Sequence, residues 1–482
     1  MNNNINQIDN KKIWIKFAIM ILLTVGIGCL PPFGNITPMG MKILGVFVGT
    51  LFGWLTVDFI IASMVGLMFL GLTGYGSIQS VFNAGFGDTT VVQMSMSFFL
   101  VAFLNYVDLT GALAGWLLTR KFSEGKPWLL IGVIFVVAFI IGAVNAFASM
   151  LLLWSVMYKV TEKVGIEKKS QLIAYILVGI VFFAGNGGYL FPWKGGSIMF
   201  SGTVLEAIGV IPQTEWYFAL IFSHIAFLIL FLIMGKVLRL DVSPLKNENI
   251  FGDLKGQKWT RQQKIGLCLY TFVIVFLTIP DFLPDSALKA TWRSFGIIGA
   301  TVIVLAAGYI ISVDGKRLLD NPAQACKDGM MWDIFFMIAA TMPIGAALRS
   351  EDAGIISTVV PVVMNMMGDM SWVMFIIVTA IVLGLLTQVS HNLIIAMVIF
   401  PVFSKICLDM GGDPVLWFFV NFWAIMAAYT TPAASGYAAV MHGNKDWISS
   451  KQAYGFGFST LVVSWLGSFL FLIPIWLLLF SK

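Results

Sequence analysis

The residues able to do chemistry in this chain sit where polar groups are costly. Val389-Ser390-His391-Asn392 sets an imidazole beside a carboxamide inside the apolar run from Trp372 to Leu408. A His has an unperturbed pKa of about 6.5, so it can move a proton near neutrality or donate to a carboxylate. A hydrogen-bonded structural His at a turn is the competing reading. Asn145 interrupts a similar apolar run from Trp128 to Val160. Polar groups at membrane depth face a protein interior or a cavity and point to a functional site.

Two glycine- and proline-rich stretches add further candidates. The first is Gly185-Asn186-Gly187-Gly188-Tyr189-Leu190-Phe191-Pro192-Trp193-Lys194-Gly195-Gly196, and the second is Tyr429-Thr430-Thr431-Pro432-Ala433-Ala434-Ser435-Gly436. Glycine admits unusual backbone angles and proline removes a donor, so both stretches should unwind. Unwound backbone is tolerated at membrane depth only where it lines protein or a cavity. Half-helix N-termini then offer positive dipole ends to anions, and freed carbonyls can hold cations. The Lys194 ammonium either contacts an anion or reaches an interface along its stem, as long lysines do near helix ends. Thr430, Thr431 and Ser435 offer hydroxyls to a site, unless they bond the backbone as in ordinary helices.

The elements that must position these groups follow from composition. Of 482 residues, 59% are hydrophobic and only 11% charged. Soluble domains carry about 25% charged residues, so this is an all-α polytopic membrane protein. The net charge of +5 lies in short loops between apolar runs and does not imply nucleic acid. Cys29, Cys268, Cys326 and Cys407 have no CxxC spacing and form neither a metal site nor a disulfide framework. The first apolar run follows a polar tail with Lys11, Lys12 and Lys16 and reads as a retained helix.

At roughly 20 residues per span, eleven spans are expected: 13–30, 40–57, 58–75, 90–108, 171–208, 215–238, 263–281, 290–313, 329–348, 414–442 and 452–480. The runs 127–163 and 371–408 are too long for one span, and each holds two short arms around a polar centre. Cytoplasmic loops are rich in Lys and Arg. With the N-terminus inside and both long runs returning as re-entrant hairpins, only Lys42, Lys289, Arg293, Arg349, Lys405 and Lys482 lie outside, and Lys194 lies within the membrane. Charge does not exclude a two-span reading of each run. The turn position of the polar residue favours the hairpin.

This assignment yields an internal repeat. A tail and first helix (1–39) precede a first repeat, 40–238, with its hairpin at 127–163 and a broken helix at 171–208. A cytoplasmic linker (239–262) leads to a second repeat, 263–482, with its hairpin at 371–408 and a broken helix at 414–442. An odd number of preceding spans inverts the second repeat. Amphipathic segments at 109–125 and 349–367 lie along opposite faces, and the C-terminus is outside. Paired broken segments in inverted halves are the best sequence pointer to a transporter site. His224 and His442 read as interfacial or packing residues, and Asp58, Asp88 and Asp333 as residues near span ends.

Here the chain resembles the divalent-anion:sodium symporter family, the SLC13-like branch of the ion transporter superfamily. Pro31-Pro32 followed by Ile36-Thr37-Pro38 is similar to the opening of that family's first repeat. Asn392 lies in the Asn place of its Ser-Asn-Thr tip motif, with Pro401 at the family's spacing. Thr431-Pro432-Ala433-Ala434 is similar to its Thr-Pro-Pro-Asn break. His391 stands for the motif's Ser and Leu393 for its Thr, and the first tip, Val144-Asn145-Ala146, keeps only the Asn.

The resemblance implies eleven helices in inverted repeats, elevator-like movement of hairpins and broken helices, a homodimer through scaffold helices, and sodium as the coupling ion with no other cofactor. It carries over Asn145 and Asn392 as substrate or ion contacts, and the residues themselves add His391, Lys194, Thr431 and Ser435 as candidate substrate contacts. Ion contacts are expected from Asn145, Gly187, Asn392, Thr430 and Ala433. It also raises the possibility that Lys194 stands where relatives bind sodium.

The function expected is secondary active transport of a small organic anion, a di- or tricarboxylate, across the cell membrane with sodium. Sodium-independent exchange or proton coupling through Lys194 and His391 is the other carrier reading. An intramembrane enzyme is disfavoured by the lack of HExxH, GxSxG or paired membrane aspartates in a motif, and ATP-driven transport by the lack of a P-loop. A channel is disfavoured because inverted broken repeats around a midplane site fit alternating access.

Overall fold

The structure is a computed structural model that describes residues 10–119, 125–246, 251, 258–367 and 370–480. The tail before Asn10, Arg120, Lys121, Lys482 and most of the expected linker (247–250 and 252–257) lie outside the described residues. In chain order the helices begin with α1 (Asn10–Gly28), α2 (Pro38–Thr56), α3 (Phe59–Gly71), α4 (Ile78–Phe86), α5 (Thr89–Tyr106) and α6 (Leu109–Leu118). They continue with α7 (Pro127–Val164), α8 (Gln171–Gly187), α9 (Gly195–Gly202), α10 (Leu205–Ile208), α11 (Gln213–Val237), α12 (Arg261–Thr278) and α13 (Ala287–Ile310). A two-stranded ribbon, β1 (Ser312–Val313) and β2 (Lys316–Arg317), precedes α14 (Pro322–Gly329), α15 (Trp332–Arg349), α16 (Ile355–Met367) and α17 (Trp372–Leu386). The chain ends with α18 (Asn392–Asp409), α19 (Pro414–Met426), α20 (Gly436–Gly443), α21 (Ser450–Gly467) and α22 (Ile473–Phe480).

The all-α polytopic architecture is as expected. Among the described residues seven stretches are long and apolar enough to cross a membrane: α2, α5, α7, α11, α13, α15 and the run from α21 through α22. The shorter apolar helices α8, α17 and α19 end at the hairpin tips and breaks, where polar and small residues stop helical pairing. The helical path is interrupted at Asn145, after Gly187, after Leu386 and after Met426. The succession of hairpin, broken helix and long helix occurs twice, as α7 to α11 and as α17 to α22.

Three local outcomes differ from the sequence reading. The run 58–75 ends as helix at Gly71, because Thr73 turns its hydroxyl onto Leu70 O at 2.7 Å and α4 follows. The run 290–313 ends in the β1–β2 ribbon, where Asp314 (φ 51°) and Gly315 (φ 81°) take the two positive-φ places of a tight hairpin. The short helix α14 was not anticipated.

The chain divides into two compact units. The first comprises residues up to Val92, Met331–Ser371 and Met397–Ile406. Within it the loop before α2 is tied to the start of α16: Asn35 N–H donates to Thr358 Oγ1 at 2.9 Å, and the Thr37 hydroxyl donates to Asp352 O at 2.7 Å. Asp58 caps α3 by accepting from Ile61 N–H at 2.8 Å, in keeping with a span-end role.

The second unit comprises Gln93–Met330, Trp372–Ala396 and Cys407–Lys482 and holds every candidate site residue. Lipid offers no hydrophobic drive between helices, so close backbone packing and interhelical hydrogen bonds must supply cohesion. Helices α7 and α8 meet so closely that a Cβ on Gly187 would lie 2.0 Å from Phe139 O. Trp154 Nε1 donates across the same interface to Leu177 O at 3.0 Å. Between α7, α8 and α11, Tyr175 stacks on Phe231 and Phe135 meets both rings edge to face.

Candidate functional site

The first hairpin is a single helical run broken at Asn145, which takes extended angles (φ −152°, ψ 109°). The reason is local. The Asn145 Oδ1 accepts from Ala148 N–H at 3.0 Å, the bond of an N-cap, so the second arm starts afresh at the tip. The first arm therefore ends at Gly142, Ala143 and Val144 with carbonyls that lack helical partners. Lys194 supplies them. Its Nζ donates to Ala143 O at 2.6 Å, Val144 O at 3.2 Å and Gly142 O at 3.4 Å. The ammonium does not reach an interface: the residue is only 9% exposed. Tyr270, on α12, donates its hydroxyl to Ala143 O at 2.9 Å.

Lys194 itself lies in the first break, between α8 and α9, as the N-cap residue of α9. The break is held by side chains from outside it. Gly195 N–H donates to Ser97 Oγ at 2.6 Å, and Trp216 Nε1 donates to Tyr189 O at 3.2 Å. The Gly187 carbonyl accepts from Leu190 N–H at 3.0 Å in a turn.

At the second tip, residues 387–391 turn between α17 and α18. Asn392 N–H donates to Ala434 O at 2.9 Å, which fastens the tip to the second break. The Asn392 side chain is buried, with Nδ2 3.8 Å from Met426 Sδ and Oδ1 accepting from Leu393 N–H at 2.9 Å. His391 Nδ1 accepts from the same Leu393 N–H at 3.3 Å. The second break spans the residues between Met426 and Gly436. Thr431 donates its hydroxyl to Gln388 O. Ser435 donates to Ala428 O at 2.7 Å and accepts from Ala438 N–H at 3.1 Å, capping α20. The Thr430 hydroxyl is buried with no hydrogen-bond partner among the described residues. His442 Nε2 lies 3.3 Å from Tyr429 O, so this residue packs on the break.

The two tips and two breaks come together. Phe147, two residues into the second arm of the first hairpin, packs its ring 5.8 Å from that of Tyr437 at the start of α20. Phe182 of α8 packs against Tyr429 at 6.1 Å, and Tyr189 of the first break against Phe422 at 4.9 Å. Pairwise contacts thus link the N-terminal ends of four helical segments, with Lys194 at the start of α9 meeting the first tip, Phe147 of the arm after Asn145 meeting Tyr437 of α20, and Asn392 of α18 bonding Ala434 just before α20. Each end carries a partial positive charge, and together they suit an anion.

The citrate transporter family (CitMHS) matches residues 47–421, well over half the sequence. The chain belongs to this family. No curated relative matches it by sequence. Its fold is similar to that of the YdaH transporter of Alcanivorax borkumensis, known from a crystal structure described as having an unusual topology. The TM-score is 0.58 at 12% identity, over 96% of this chain and 97% of that one. The family and the structural neighbour are both transporters, and this family member is a multi-pass membrane protein.

Sequence reasoning missed Gln388, Tyr270 and Ser97. Gln388 carried a signal, as a buried-run polar residue four places before Asn392. Tyr270 and Ser97 carried none, because one hydroxyl in a helix is unremarkable until the fold shows what it faces.

Proposed function

We propose that the chain is a secondary active carrier of a small organic anion, a citrate-class di- or tricarboxylate, coupled to sodium and moving by an elevator-like mechanism in the cell membrane. The observation that carries this reading is the gathering of four half-helix N-termini with the Lys194 ammonium in one unit. Such ends favour carboxylates without burying a full opposing charge for each. Asn145, Asn392, His391, Lys194, Thr431 and Ser435, at the tips and breaks, are the proposed substrate contacts.

The proposal extends the resemblance to divalent-anion:sodium symporters. It includes inverted repeats at 40–238 and 263–482, a cytoplasmic N-terminus, an outer C-terminus and a homodimer. Sodium is assigned to the second tip, with Asn392, Thr430 and Ala433 as ligands. The buried Thr430 hydroxyl, which has no hydrogen-bond partner among the described residues, supports this assignment.

A second reading, sodium-independent exchange, draws on the first tip. There Asn145 and Gly187 would frame an ion, yet the Lys194 ammonium already holds three carbonyls. A tethered cation in that place removes one sodium from the cycle. Uptake into proteoliposomes of the purified protein tests both readings, with labelled citrate, succinate, 2-oxoglutarate and sulfate. Uptake driven by a sodium gradient is expected. Uptake that needs only internal anion would replace symport by exchange, and no uptake of any carboxylate would overturn the substrate class.

A further inference from the structure

Unwinding a helix at membrane depth leaves peptide groups that water cannot reach, and each needs a partner from the protein. In the second break most carbonyls find one nearby: Ala428 O takes Ser435, Tyr429 O takes His442, Thr431 O takes Ala434 N–H, and Ala434 O takes Asn392 N–H. The severed edge itself is different. Helix α19 stops at Met426, so Ala427 O has no next turn to accept from, and Thr430 N–H has no helical acceptor.

One side chain supplies both. Gln388 Nε2 donates to Ala427 O at 3.1 Å and to Gly384 O at 2.8 Å, while its Oε1 accepts from Thr430 N–H at 3.1 Å. Its backbone carbonyl takes the Thr431 hydroxyl. The residue is 4% exposed. A carboxamide has the donor and acceptor of a peptide group, so Gln388 stands in for the missing turn.

We propose that Gln388 is a positioning residue. It splices the second break to the second hairpin and so sets the register of Asn392, Thr430 and Ala433, the groups to which the proposed function assigns sodium. The inference rests on that function for its transport consequence and on geometry alone for its structural one. A glutamate of the same shape cannot replace Gln388 in full. A carboxylate only accepts and would face two carbonyl oxygens, and a protonated carboxyl keeps a single donor for both.

The test compares the full-length parent with Gln388→Glu and Gln388→Leu. In hydrogen–deuterium exchange, both variants are expected to exchange at least tenfold faster at pH 7.4 over 387–395 and 427–438, with the α7–α8 region unchanged. Equal exchange, or an acceleration spread over the whole chain, overturns the positioning role. In citrate uptake, the half-saturating sodium concentration is expected to rise at least tenfold in both variants.

The ratio of Gln388→Glu to parent uptake is expected to recover as pH falls from 8 to 5.5, because a protonated carboxyl regains a donor. Among the described residues His391, Tyr429, Tyr437 and His442 are the titratable groups at the tip and break, and they are common to both proteins. A flat ratio, or one equal to that of Gln388→Leu at every pH, overturns the carboxamide argument. A parent that takes up no carboxylate defeats the transport reading, while the exchange measurement still decides the role of Gln388.

Discussion

The ammonium of Lys194 lies 2.6 Å from the carbonyl oxygen of Ala143, at the end of the first arm of the first hairpin. A lysine from one interrupted helix thereby closes the open end of another. Replacing it with alanine leaves up to three carbonyls without their charged donor, at about 1–3 kcal/mol for a buried unsatisfied group. A sodium ion can relieve that loss. Lys194→Ala is therefore expected to cut uptake about tenfold at low sodium and to recover at high sodium, a factor in line with that range. Uptake against sodium concentration in proteoliposomes measures this. Unchanged affinity and unchanged ion dependence would remove Lys194 from the mechanism.

Tyr270 shares Ala143 O with Lys194 and joins α12 to the tip. Tyr270→Phe deletes one buried hydrogen bond, worth about 1 kcal/mol. Exchange of the tip amides over 142–150 should quicken roughly fivefold, since about 1.4 kcal/mol is a factor of ten. No change at the tip would mean that Lys194 alone holds it.

Asn145 caps the second arm and is also a proposed substrate contact. Asn145→Ala should cost about 1 kcal/mol of local stability. Asn145→Ser keeps a capping oxygen but not the carboxamide. Serine is thus expected to restore thermal stability without restoring citrate affinity. If serine restores both, the residue serves only as a cap.

Gly187 has no room for a side chain, because Phe139 O lies where a Cβ would stand. Gly187→Ala must push α8 from the first arm of α7, with overpacking worth about 1–3 kcal/mol. A lowered melting temperature in detergent is expected. A stable variant with only altered sodium dependence would instead favour an ion-site role for this position.

Much of the site was legible before folding because lipid makes polar residues conspicuous. Asn145, His391, Asn392 and Lys194 each interrupt apolar sequence, and all four lie at the tips and breaks. Of the hydroxyls that the sequence offers either to a site or to the backbone, Thr431 and Ser435 bond backbone carbonyls. Gln388 was passed over although it is polar and in the same run, because sequence does not reveal which severed peptide groups a carboxamide will meet.

The sequence by itself determined the membrane class and the places where polar, glycine and proline residues interrupt the apolar runs. Those follow from hydrophobic length, from glycine and proline, and from the cost of bare peptide groups in lipid. Only the tertiary structure decided that Lys194 ends on the first tip, that Gln388 bridges the second tip to its break, and that Phe147 meets Tyr437. These are pairings between segments distant in the chain. They depend on how closely α7 and α8 approach and on which carbonyls each interruption leaves open, and no local residue pattern encodes either.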